Sequence, residues 1–194
     1  MHTTKSRERG VVLIYTLIIL LILTIGAVAL VRSMHTSLFS AGNLAFRQDL
    51  VNQGEQAVAT VVTQFKTGSF STPGATDADN KALNYSSTAL LTNGQGVPNA
   101  LLDKNIFNTV ASHVNDIVGA TPDVTMIYVI DRMCSSAGPS NAAICLQSIA
   151  APGGGSTPGN GLPPPSATVY RLSVRVDGPR NTQQFLQTTF TKPD

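Results

Sequence analysis

VVLIYTLIILLILTIGAVALV, running from Val11 to Val31, decides how this 194-residue chain is built. It holds no charged residue. A helix rises about 1.5 Å per residue, so a run of this length crosses a hydrocarbon core of roughly 30 Å. A buried core helix seldom keeps more than about 14 wholly apolar residues. A cleaved secretory signal has an apolar core of about 7 to 15 residues, and no small-x-small cleavage site precedes Arg32. The run therefore reads as a membrane-spanning helix, residues 11–32. Lys5, Arg7 and Arg9 precede it and only Arg32 follows closely. The positive-inside rule then predicts a single pass, with residues 1–10 in the cytoplasm and residues 33–194 on the far side. Glu8 changes this little, because acidic residues count for little in that rule.

Outside the basic leader the charge is balanced. The chain has 13 Lys and Arg against 11 Asp and Glu. From Ser33 onward nine basic residues meet ten acidic ones. That balance leaves no basic face for nucleic acid. Apolar residues make up 42% of the chain, too many for a disordered one.

Two cysteines, Cys134 and Cys145, sit in CSSAGPSNAAIC. A zinc site would want four ligands, and no histidine lies in or beside this loop. On the far side of the membrane two nearby thiols usually pair. A bridge would close a loop of about a dozen residues and add about 2–3 kcal/mol. Two free buried thiols are the alternative.

No proline interrupts the sequence after the span until well past Lys66. Leu38, Ala45, Leu50, Ala57, Val58, Val61, Val62 and Phe65 fall near one face at a 3.6-residue period. Residues 33–66 thus continue the helix as an amphipathic stalk, with Gly42 and Gly54 as weak points. Residues 67–194 form the globular head. Residues 67–98 read as irregular, with a short helical turn near Ser87–Leu91. A second helix is predicted from Asn99 to Val118, striped by Leu102, Ile106, Val110, Val114 and Ile117. Gly119 would cap it and Pro122 follow. Val124–Met133, Thr168–Asp177 and Thr182–Thr191 read as strands. The last two are joined by a hairpin turn at residues 177–181. Tyr170, Leu172, Val174 and Val176 alternate with Arg171, Ser173, Arg175 and Asp177, predicting one buried and one solvated face. A contact surface for a neighbouring subunit is the other reading of that charged face. APGGGSTPGNGLPPPS, residues 151–166, reads as a mobile loop. The expected class is α+β: a long transmembrane-plus-stalk helix packed on a small antiparallel β-sheet.

Nothing in the sequence makes a catalytic set, so the expectation is a protein that is not an enzyme and carries no cofactor. GxSxG, HExxH and P-loop patterns are missing. His2 lies in the leader, His35 follows the span, and His113 reads as a packed or surface residue. Asp77, Asp79 and Asn80 resemble part of a calcium loop, without its glycine or distal glutamate.

A short basic leader ending in glycine, then an apolar helix that continues as an amphipathic stalk, resembles the plan of type IV pilins. Within that group the chain is most similar to the minor pilins of the PilX type. The likeness rests on RGVVLIYTLIILLILTIGAVALVRSM, on AGNLAFRQDLVNQGEQAV and on YRLSVRVDGPRNTQQFLQT. It covers about the first third of the chain and the C-terminal hairpin, and does not extend to residues 67–165. The resemblance implies a pilin-like fold, cleavage by a prepilin peptidase between Gly10 and Val11, and methylation of the new Val11 amine. It also implies an inner-membrane precursor with a periplasmic head that later joins the fibre. The implied partners are other minor pilins, the major pilin and a large tip adhesin of the PilY type. Most pilins have glutamate at the fifth mature position, where this chain has Tyr15. Several PilX-type proteins and tip pseudopilins likewise lack it, which implies a priming or tip role. A minor pseudopilin of type II secretion and an unprocessed single-span scaffold or binding protein are the alternatives.

Overall fold

The computed structural model describes residues 9–121, 123–149 and 166–193. The leader up to Glu8, Pro122 and the Gly/Pro stretch lie outside the described residues. The chain divides into two units, Met1–Arg47 and Gln48–Asp194.

Helix α1 runs from Arg9 to Thr67. Proline is absent from it, so no backbone N–H is missing inside it. Its end is set at Gly68, whose amide bonds the Gln64 carbonyl at 2.7 Å. A Cβ at Gly68 would stand 2.5 Å from that carbonyl oxygen, so only glycine fits. Lys66 in the last turn complements the helix dipole. Within the first unit the described part is α1 alone.

In the second unit the last five turns of α1 pack on a mixed sheet. Its strands are β1 (Tyr85–Ser86), β2 (Ile117–Val118), β3 (Thr125–Arg132), β4 (Gln147–Ile149), β5 (Ser166–Gly178) and β6 (Thr182–Pro193). The spine is the antiparallel run β3–β5–β6. Strand β1 pairs parallel with β3, Tyr85 opposite Ile130. Strands β2 and β4 extend the antiparallel pairing at either end. The sheet is thus mixed, not the antiparallel one predicted, because β1 is supplied by the segment read as irregular. The β5–β6 hairpin turns through Arg180 and Asn181, both at positive φ.

One sheet face carries Tyr170, Leu172, Val174 and Val176, all fully buried. Leu50, Ala57, Val61 and Phe65 of α1 meet it, spaced so that one helical stripe is covered. Gly54 lies at closest approach: a Cβ there would come within 2.7 Å of Leu186 and 2.9 Å of Val176. The weak point of the sequence reading is the position that lets helix and sheet touch. Phe65, Phe70, Tyr85, Tyr170 and Phe190 form an aromatic cluster under the helix end.

The opposite face is not solvated, which corrects the expectation for Arg171 and Ser173. Ile127 and Val129 there pack with Ala100, Leu101, Phe107 and Ala111. That layer is the segment predicted as a helix over Asn99–Val118. It is broken into a turn of 3-10 helix at Asn99–Leu101, α2 (Lys104–Val110), a second such turn at His113–Asn115, and β2. Side chains compete with a continuous helix. Asp103 caps α2 by accepting from the Asn105 amide, and Ser112 starts the next turn by accepting from Val114. Ala111 is extended at the join. The predicted stripe is misplaced: Leu102 and Ile106 are exposed and Val114 is 91% exposed. Gly119 caps no helix; it follows β2 and bonds the Val124 carbonyl. Ser87–Leu91 holds no helical turn; the nearest one is Lys81–Leu83.

Candidate assembly surface

The first unit offers one chemically distinctive feature. Every large apolar side chain from Val11 to Val31 is exposed. Among the described residues this is the one helix long and apolar enough to cross a membrane. Its 15 Leu, Ile and Val residues each favour a bilayer centre by about 0.3–0.6 kcal/mol, so the run as a whole favours insertion by several kcal/mol. Polar side chains within it are Tyr15, Thr16 and Thr24. Both threonines satisfy themselves: Thr16 donates to the Leu13 carbonyl at 2.9 Å and Thr24 to that of Leu21 at 2.8 Å. Such back-bonding is how hydroxyls persist in lipid. Tyr15, 63% exposed, has no such internal acceptor among the described residues. A phenol in an apolar medium seeks a hydrogen-bond partner.

Gly10 and Val11 lie in the first turn of α1.

In the second unit Cys134 and Cys145 form a disulfide spanning 11 positions. The bridge follows β3 directly, and Cys134 and Cys145 also pair as an isolated β-bridge. Fully buried Arg132 fixes the loop from inside. It donates to the carbonyls of Ser87 at 3.1 Å and Gly138 at 2.6 Å, and pairs with Asp77 at 3.3 Å. Asp79 accepts from the Ser87 amide and hydroxyl, both at 2.7 Å. The two carboxylates of the calcium-like stretch are therefore occupied with structural bonds. Among the described residues no group of three His, Cys, Asp or Glu could hold a metal ion. His113 lies tilted against Phe107, ring centroids 4.7 Å apart, and meets Asp116 at 2.8 Å.

Sequence reasoning missed a second buried pair. Asp131, wholly buried, receives Arg171 through Nε at 3.0 Å and Nη2 at 2.5 Å. It also accepts from the Leu90 amide at 2.9 Å, while Arg171 donates to the Leu90 carbonyl at 3.1 Å. Arg175 donates to the Leu101 carbonyl and pairs with Asp177 at 2.9 Å. These charges hold the second layer to the sheet. Two tyrosines are perturbed. Burial, with Tyr170 beside it, pushes the Tyr85 phenol well above its ordinary value. Burial and then Asp116 raise that of Tyr128.

No family model matches this chain, and comparison with curated proteins and with solved structures likewise finds no match.

Proposed function

We propose that this chain is a minor pilin of the PilX type, which primes assembly of a type IV pilus and stays at or near its tip. The observation that carries the reading is the bare apolar run Val11–Val31 of α1, which follows directly on a basic leader ending in Gly10. An exposed helix of this kind suits lipid first and a bundle of like helices afterwards, where van der Waals contact replaces lipid contact. Such a subunit would pass from the inner membrane to the fibre after a prepilin peptidase removes residues 1–10. Its neighbours would be other minor pilins and the major pilin, with an adhesin of the PilY type at the tip.

Tyr15 bears on position in the fibre. A carboxylate at this place would attract the N-terminal ammonium of a neighbouring subunit; a phenol offers a hydrogen bond without the charge. Insertion between established subunits then lacks one attraction, whereas the first, distal position does not need it. A near-neutral head packs among others without strong repulsion.

The test begins with N-terminal sequencing from cells that make the peptidase. The expected start is Val11, and Gly10→Leu should accumulate the uncleaved form. A start at Met1, or equal processing of Gly10→Leu, refutes the reading in favour of a plain anchor. Labelled wild-type subunit should mark fibre ends, and Tyr15→Glu should spread the label inward while Tyr15→Phe does not. Even labelling of the shaft by the wild type refutes tip placement.

A further inference from the structure

The sheet has one long edge that no described residue covers. Strand β6 pairs with β5 from Gly178↔Thr182 to Ala167↔Pro193, one residue opposite one throughout, with no bulge. No described backbone group bonds its other side. In an antiparallel ladder alternate residues turn their N–H and C=O outward, so roughly half of the residues in this strand present unpaired groups. Proteins usually blunt such an edge with charge, proline or a bulge. Thr182–Thr191 carries no charge, and Lys192 and Pro193 stand only at the end of the strand.

Beside the edge lies a cavity of about 170 Å³, lined by Val97, Pro98, Leu101, Phe185 and Gln187 among others. Phe185 and Gln187 share the sheet face that carries Arg175 and Ser173, their partners in register. Phe185 is 39% exposed there. Gln187 ties the strand to the cavity roof by donating to the Gly96 carbonyl at 3.2 Å and to Ser173 at 3.0 Å.

We propose that the outer edge of β6 is a strand-addition site for a partner protein, taking an extended, uncharged segment with one apolar side chain that fills the cavity beside Phe185. Main-chain bonds along the edge give affinity, and the cavity selects the side chain in phase with it. The absence of charge from Thr182 to Thr191 fits a segment that is itself uncharged. A second copy of this chain is the poorer occupant. Two copies joined edge to edge about a two-fold axis through the sheet keep like faces together, so the cavity would be offered Gln183, Phe185, Gln187, Thr189 or Thr191. Only Phe185 among these is apolar, and it already lines the chain's own cavity. The inference depends only on the sheet and holds whether or not Gly10–Val11 is a cleavage site.

The experiment uses the full chain in a mild detergent and a fluorescent peptide of about ten residues alternating Thr and Leu. Anisotropy should report saturable binding, and amide exchange by NMR should show slowed exchange confined to alternate residues of β6. Methylating the peptide's alternate amides in the phase that faces β6 should weaken binding at least about tenfold. Replacing its leucines by serine should do the same, since one buried apolar side chain contributes about 1.5–3 kcal/mol, a factor of roughly 10 to 100. Unchanged exchange in β6 at about millimolar peptide overturns the proposal, as does equal binding of the methylated peptide. Slowed exchange that rises with protein concentration in the absence of peptide overturns it in favour of self-pairing.

Discussion

Replacing Asp131 by alanine separates a buried second sheet face from a solvated one. In the structure the carboxylate is wholly buried and accepts from Arg171 twice and from the Leu90 amide once. Asp131→Ala leaves a guanidinium whose side chain is only 12% exposed, with the Leu90 carbonyl as its remaining described acceptor. Removing one partner of a buried pair costs about 3–5 kcal/mol, because the other charge stays desolvated. A domain of this size loses about 2–4 °C of Tm per kcal/mol, so the expected fall is about 6–20 °C. The assay is a near-UV circular dichroism melt of the full chain in mild detergent, at low and at high salt. The loss should persist at high salt, since buried pairs are poorly screened. Asp131→Leu with Arg171→Met should recover part of it, yet stay below wild type because the Leu90 amide and carbonyl both lose their side-chain partners. A loss below about 1 kcal/mol, or one that salt abolishes, would place Arg171 in water and refute the second layer.

Two further outcomes follow from the same head. Cys134→Ser with Cys145→Ser should lower stability by about 3 kcal/mol through the freed loop, read from the same melt; no change would show that the loop is held by Arg132 alone. Tyr85 has its folded pKa raised, so its contribution is complete below the ordinary tyrosine value and is lost as pH rises past it. Melts taken from about pH 8 to about pH 11.5 should therefore fall above about pH 10, by about 1.4 kcal/mol per pH unit for each of Tyr85 and Tyr128. Tyr85→Phe should flatten that slope, and an unaltered slope would contradict the burial of this phenol.

Elements whose signal is local were legible. Helix α1 has length, uninterrupted periodicity and no proline, and β5 alternates cleanly around Tyr170, Leu172, Val174 and Val176. Strands β1 and β4 have two and three residues and exist only through their partners, so no window of sequence contains them. The solvated face was the instructive error. Alternation in β5 suggested water on one side, but every residue of β3 from Met126 to Arg132 is buried. That strand reads TMIYVIDR, apolar at consecutive positions where a half-exposed strand would alternate. Consecutive apolar residues mark a strand covered on both faces, and Asp131 at the end of such a run should have signalled a buried partner. At the candidate assembly surface the apolar run and Tyr15 were visible in the sequence. The satisfied Thr16 and Thr24, and the open edge of β6, needed coordinates.

The composition of residues 67–98 reads as irregular, and the sheet explains how an irregular segment is held in place. A segment with few ladder bonds leaves its backbone groups to be satisfied elsewhere. Here side chains of the central strands supply what a ladder would. Arg132 takes the Ser87 carbonyl, while Asp131 and Arg171 take the Leu90 amide and carbonyl. Tyr85, the one aromatic of β1, takes the Thr76 carbonyl at 2.7 Å, and Tyr170 of β5 reaches the Thr76 hydroxyl at 3.2 Å. Asn84, in the left-handed region, accepts from the Ser112 amide at 2.8 Å and donates to the Tyr128 carbonyl at 3.1 Å. Each of these polar side chains is buried or nearly so, and each is there because an irregular backbone lies against it. The order of the segment is thus held in β3 and β5 rather than in its own sequence. On that account Asp131→Ala should speed proteolysis within residues 68–98 before it melts the sheet, and cleavage first in the β5–β6 hairpin would count against it.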